Sequence, residues 1–308
     1  MSNRPLKVGV QLPEVERVVR WPELREMART AEQVGFDSLW VGDHLIYKRP
    51  TGNVGPWEAW STLAALAEVT TSVELGPLVA ATSFHNPAML AKKAATVDEI
   101  SGGRLILGLG AGWNETEYTA YGFPFDKRAS RFEEAFTIIR TLLREGQIDF
   151  VGDYYEARDC ELLPRGAPDV HPNGPPLMIG SIGKRVLEYT APHVDMWNAW
   201  HDWFGNTAQG IAPLSTAVDE ACQAAGRDPA GIARTVSIYV QLTGGTGRGA
   251  SITRSDPHPP HKGTPEHLAE VLRGYARAGV SHVQLVLDPI TVESIAECAP
   301  ILETLDKG

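Results

Sequence analysis

Short apolar runs and longer amphipathic stretches alternate along this chain from one end to the other. Lys7–Gln11, Ser38–Val41, Val73–Val79, Leu105–Leu109, Leu177–Ile179, Met196–Ala199, Thr235–Gln241 and His282–Leu287 read as buried strands. Between them lie segments with helical spacing: Trp21–Val34, Trp57–Val69, Ala88–Ile100 opened by Pro87, Ala129–Arg144, Lys184–Tyr189, Thr207–Ala225, Pro265–Ala278 and Val292–Leu305. In the first of these Leu24, Met27, Ala28 and Ala31 share a face, and Gly35 marks the stop. Such alternation predicts parallel strands joined by helical crossovers. Across 308 residues it predicts one domain, 1–308, folded as an α/β (β/α)8 TIM barrel with loop insertions. An open, doubly wound sheet is the competing architecture.

Three segments interrupt the rhythm. Leu45–Pro56 is a Gly- and Pro-containing loop after the second strand. Gln147–Pro176 is expected to carry a small hairpin over Asp149–Glu156, followed by a proline-rich connector. Gly244–Gly263, rich in Gly, Ser, His and Pro, has no periodicity and is expected to be a lid or a mobile loop.

Composition narrows the function. The formal net charge of -10 argues against nucleic acid and anionic membranes as partners. No apolar run approaches transmembrane length and no signal segment is evident, so a cytoplasmic location is expected. Cys160, Cys222 and Cys298 fit no disulfide or zinc spacing and are expected to be inert thiols. The histidines show no paired metal spacing, so no metal is expected.

The ends of the strands carry the candidate chemistry, because a barrel of this kind works at their C-terminal face. Those ends read Gln11, Asp43-His44, Thr82-Ser83, Gly110 to Asn114, Gly180 to Lys184, Asn198, Gln241 and Asp288. His44 can exchange a proton near neutral pH, and Asp43 can bond a ligand heterocycle or set the local charge. A loop histidine satisfied by backbone, and a helix-capping aspartate, are the plainer readings. Gly108, Gly110 and Gly112 do not make the dinucleotide fingerprint. Their position, between a strand and Trp113-Asn114, suits a flat ring walled by the indole and bonded by the amide. A tight turn with a packing tryptophan is the alternative. Gly180-Ser181-Ile182-Gly183-Lys184 leads into a helix start, where amides, a hydroxyl and an ammonium favour a phosphate. It could equally be an ordinary βα turn.

These stretches resemble the luciferase-like monooxygenase superfamily, in particular its coenzyme F420-dependent oxidoreductase branch. The resemblance rests on Gly35 to His44, Asn86 to Lys92, Asp98 to Glu115, Arg131 to Ala135, Pro176 to Gly180 and Gly263 to Glu266, in that order. It implies a flavin or deazaflavin lying across the strand ends, with Asp43 near the polar edge of the ring. It implies a bulge with a non-proline cis peptide around Val79-Ala80-Ala81, supporting the ring beside Thr82. Gly110, Ala111, Gly112, Trp113 and Asn114 would flank the cofactor, and Gly180, Ser181, Ile182, Gly183 and Lys184 would receive its phosphate. His44 matches the histidine beside the reacting carbon. Two departures stand out. Dehydrogenases of this branch carry a glutamate proton donor where this chain has Trp113, and a tryptophan where it has Tyr47-Lys48. The expected activity is hydride transfer between F420 and a small-molecule substrate, in a homodimer. An FMN-dependent monooxygenase is the alternative, and a cofactor-binding barrel without turnover is a third reading.

Overall fold

The computed structural model describes residues 4–49, 52–247 and 258–307. The segment 248–257, the middle of the expected lid, lies outside the described residues. In chain order the first half contains β1 (Lys7–Gln11), α1 (Trp21–Val34), β2 (Ser38–Val41), α2 (Ala59–Val69), β3 (Glu74–Pro77), β4 (Ala80–Ala81), α3 (Pro87–Ser101), β5 (Leu107–Gly110), α4 (Glu115–Tyr121) and α5 (Arg128–Glu145). A hairpin follows, β6 (Gln147–Val151) and β7 (Glu156–Glu161), paired antiparallel. The second half contains β8 (Leu177–Gly180), α6 (Lys184–Thr190), β9 (Met196–Trp200), α7 (Ile211–Ala224), β10 (Ala233–Gln241), α8 (Pro265–Arg277), β11 (Val280–Asp288), α9 (Val292–Glu297) and α10 (Ala299–Asp306).

The large sheet runs β3-β2-β1-β11-β10-β9-β8-β5-β4, with every neighbouring pair parallel. A parallel bridge between Leu75 of β3 and Leu105, just before β5, closes the ring. Because β3 and β4 are two pieces of one stave, nine strands make an eight-stave barrel, as the alternation predicts. The break falls at a cis peptide between Leu78 and Val79. The continuous strand expected over Val73–Val79 therefore stops at Pro77 and resumes at Ala80.

Local chemistry explains the element ends. Gly35 and Gly102 close α1 and α3 in the left-handed conformation, which costs glycine little. Asn86 and Thr264 cap α3 and α8 by accepting from Met89 N and His267 N. Other boundaries differ from expectation. The last helix divides at Cys298 because Pro300 cannot continue α9 and instead sits in the first turn of α10. The helix expected from Thr207 begins with a 3₁₀ turn at Ala208–Gly210. Helix α4 was not anticipated, since seven mostly polar residues give little periodicity.

Inside the barrel a polar layer replaces part of the hydrocarbon. Ser38 Oγ lies 2.7 Å from His282 Nε2 and accepts from Trp40 Nε1 at 2.7 Å. Asn198 Nδ2 donates to Thr235 Oγ1 and to Gln284 Oε1, each at 2.8 Å. Burial, with a smaller push from the charge of Lys7, lowers the His282 pKa from 6.5 to about 3 and keeps the ring neutral.

Candidate active site

A cavity of about 530 Å³ opens at the C-terminal ends of the strands. That volume lies within the range of small-molecule and cofactor sites. One wall is built around Val79. A Cβ added at Gly110 would lie 2.8 Å from Val79 Cγ2, and one added at Gly180 would lie 2.9 Å from the same atom. The isopropyl group therefore nests between two glycines and shares a smooth, apolar surface with their backbones. Side chains at either glycine would push Val79 into the cavity.

His44 follows β2 and lines this cavity with only part of its ring in contact with solvent. Its Nδ1 lies 3.0 Å from Glu117 Oε2 and 3.1 Å from Oε1. Its Nε2 lies 3.8 Å from Glu14 Oε1. Glu14, in the loop after β1, accepts from Tyr47 Oη at 2.5 Å and from Gln11 Nε2 at 3.1 Å. Burial pulls the His44 pKa down. The charges of Glu14, Glu117 and Asp43 and the hydrogen bond to Glu117 outweigh it and raise the pKa to about 9. At neutral pH His44 is thus an imidazolium facing the cavity, able to give up a proton.

Asp43 is committed to the broken stave. Its Oδ2 accepts from Ala81 N at 2.9 Å and lies 3.2 Å from His85 Nε2. It thereby ties the end of β2 to the residues just past the cis peptide. Opposite, the half-exposed Trp113 sets its ring edge-on to His44 with centroids 5.7 Å apart, and tilts toward Tyr47 at 6.4 Å. Trp200, at the end of β9, and His201, Asp202 and Trp203 after it complete the wall. Arg128 is the one Lys or Arg among the described lining residues, and it donates to Gly112 O at 2.8 Å.

Of the residues singled out from sequence, Asp43, His44, Val79, Gly110, Ala111, Gly112, Trp113, Gly180, Ser181, Ile182 and Gly183 line this cavity. Four others do not. Ala80 is packed in the core. Thr82 is buried and donates to Gly110 O at 3.3 Å. Asn114 donates to Ile46 O at 3.2 Å, bracing the loop after β2. Lys184 is largely exposed and pairs with Glu188 at 3.7 Å. Sequence reasoning missed Glu14, Glu117, Arg128 and the His201-Asp202 pair. An isolated carboxylate has no spacing signal, and Glu117 meets His44 across 73 positions. Among the described residues no group of three or more His, Cys, Asp or Glu is arranged to hold a metal ion. No helix among them is long and apolar enough to cross a membrane.

Comparison with known proteins follows the same lines. The family model for luciferase-like monooxygenases matches residues 6–244. The chain is 34% identical over 225 residues to the F420-dependent glucose-6-phosphate dehydrogenase of Amycolatopsis mediterranei (strain U-32), covering 70% of this chain and 64% of that one. It therefore spans less than two thirds of that relative's length. It is 31% identical over 291 residues to the enzyme of the same name from Mycolicibacterium fortuitum, covering 91% of this chain and 77% of that one. Among solved structures, an F420-dependent secondary alcohol dehydrogenase bound to an F420-acetone adduct superimposes with a TM-score of 0.80. Its identity is 20%, with 97% of this chain and 99% of that one covered. A monooxygenase from Streptomyces bottropensis gives a TM-score of 0.76 at 20% identity, covering 98% of each chain. The barrel, the cavity at its strand ends and the extent of these matches agree: the chain belongs to the luciferase-like monooxygenase family.

Proposed function

We propose that this protein is an oxidoreductase that transfers a hydride between coenzyme F420 and a small organic substrate. The observation that carries the reading is His44, held as an imidazolium beside an apolar platform of Val79, Gly110 and Gly180. The F420-dependent relatives support the choice of cofactor. The residues present fit such a group. The glycine-lined Val79 surface offers a flat ring an even contact, and the cavity is large enough to take it.

When bound, F420 supplies the ring carbon that carries the hydride; its organic chemistry is its own. This chain supplies the rest. Val79, with Ala80 behind it, supports the ring, and Asp43 would meet its polar edge. Gly110, Ala111, Gly112 and Trp113 would flank it, with Thr82 bracing the Gly110 backbone and Asn114 bracing the loop after β2. Gly180, Ser181, Ile182, Gly183 and Lys184, at the start of α6, would hold the phosphate, with the exposed Lys184 ammonium lying 3.7 Å from Glu188. His44 gives a proton to the substrate oxygen in one direction and takes it back in the other. Trp113 and Trp203 keep water from the reacting face. We extend the proposal to a homodimer, as the resemblance implies, and to a cytoplasmic location; sedimentation at working concentration tests the assembly.

Titration of the apoprotein with F420 and, separately, with FMN tests the cofactor. Binding of F420 with weak or no binding of FMN is expected. The opposite order would replace the proposal with a flavin-dependent monooxygenase.

A further inference from the structure

We propose that Glu117 is a positioning residue for His44: its buried carboxylate fixes a proton on Nδ1 and makes Nε2 the nitrogen that exchanges protons with whatever occupies the cavity. The inference deepens the proposed function and relies on it only for the identity of that occupant.

The geometry carries the argument. Glu117 is almost wholly buried, on α4 after β5, whereas His44 follows β2. Its Oε1 accepts from Leu45 N at 2.5 Å and lies 3.3 Å from Ile46 N. Two backbone amides therefore anchor the carboxylate independently of the imidazole. The ring then turns to meet a fixed acceptor, with Nδ1 within 3.1 Å of both carboxylate oxygens. A carboxylate can only accept, so the proton between them resides on Nδ1. Nε2 is left on the side of Glu14, another cavity-lining residue. The charged and titratable groups facing the ring are Glu14 from the loop after β1, Asp43 and Tyr47 from its own segment, and Glu117 from α4. Of these, Glu117 alone makes a hydrogen bond to Nδ1 within 3.1 Å.

The test uses the cofactor-free protein with ¹⁵N-histidine labelling. In the wild type His44 is expected to titrate near pH 9 and, once neutral, to carry its proton on Nδ1. In Glu117→Gln the amide oxygen still accepts from Leu45 N and Ile46 N, which keeps the loop in place. Its NH₂ group can meet Nδ1 only as a donor. The His44 midpoint is expected to fall by about one pH unit or more, as loss of a hydrogen-bonded charge requires. The neutral proton should move to Nε2. A neutral wild-type ring protonated on Nε2 overturns the proposal, and so does a Glu117→Gln midpoint and tautomer equal to those of the wild type. If Glu117→Gln fails to fold, the wild-type tautomer decides alone. A protein that binds no F420 yet shows the Nδ1 tautomer would sink the proposed function and leave this inference standing.

Discussion

The Tyr47 hydroxyl donates to Glu14 Oε1 at 2.5 Å, joining the loop after β2 to the loop after β1 beneath the mouth of the barrel. Both side chains are buried, so the bond is shielded from water. Hydrogen bonds to a charged group contribute roughly 1.5–3 kcal/mol. Tyr47→Phe removes the donor and leaves the carboxylate short of a partner. Urea unfolding is expected to show a loss of that order, and a variant as stable as the wild type would mean that Glu14 is satisfied without Tyr47.

His44→Ala separates binding from chemistry. The proposed ring platform does not include His44, so F420 affinity should change little. Loss of a general acid costs roughly 10²–10⁴ in rate. Single-turnover hydride transfer should fall by that factor, and unchanged turnover would remove His44 from the reaction. The same residue gives stability a pH signature. Its pKa is raised in the folded protein, from 6.5 to about 9. Its contribution is therefore complete below pH 6.5 and disappears as pH climbs through 9, on the order of 3 kcal/mol in all. The stability difference between wild type and His44→Gln should narrow across that window.

His282 acts in the opposite direction. Its folded pKa is depressed from 6.5 to about 3. Stability attached to it is complete above pH 6.5 and is lost as pH falls toward 3, at about 1.4 kcal/mol per pH unit. His282→Gln should lose stability less steeply than the wild type between those values. Parallel acid curves would show that protons enter the unfolded and folded states alike at this position.

How much of this was legible in the chain depends on the range of each signal. Strands such as Lys7–Gln11 and Ser38–Val41 match their expected bounds because apolar runs and glycine stops are local. The Gly180–Gly183 turn and Asp43-His44 were visible for the same reason: each is contiguous and sits where a strand must end. Glu14 and Glu117 were not, since their meaning lies in contacts with Tyr47 and His44 that only the closed barrel creates. Lys184 shows what a local signal leaves open. An ammonium after a glycine turn looks like a phosphate ligand, but a lysine at the first turn of α6 finds Glu188 one turn on.

Gly180→Ala tests the platform. The added methyl would lie 2.9 Å from Val79 Cγ2, closer than carbon atoms tolerate, so Val79 must move toward the cavity. Overpacking of this kind costs about 1–3 kcal/mol of stability. F420 binding, measured by fluorescence, should weaken about tenfold, or 1.4 kcal/mol. The double variant Gly180→Ala with Val79→Ala removes the collision and should recover much of the affinity. If the single variant binds as the wild type does, the ring does not rest on Val79.

Charge around the cavity bears on the substrate. Glu14, Asp43, Glu117 and Asp202 line it, and against them the described lining residues offer Arg128, already engaged by Gly112 O, and His44. A phosphate monoester brings about two negative charges and needs cationic, charge-assisted hydrogen bonds to replace its hydration. Here it would meet carboxylates and indoles instead. Trp113 adds apolar surface beside His44. Neutral alcohols, ketones or enones with an apolar body fit that wall. In an F420-coupled assay such compounds should exceed glucose-6-phosphate in kcat/KM by about a hundredfold, or 2.7 kcal/mol. Efficient oxidation of glucose-6-phosphate would contradict the prediction.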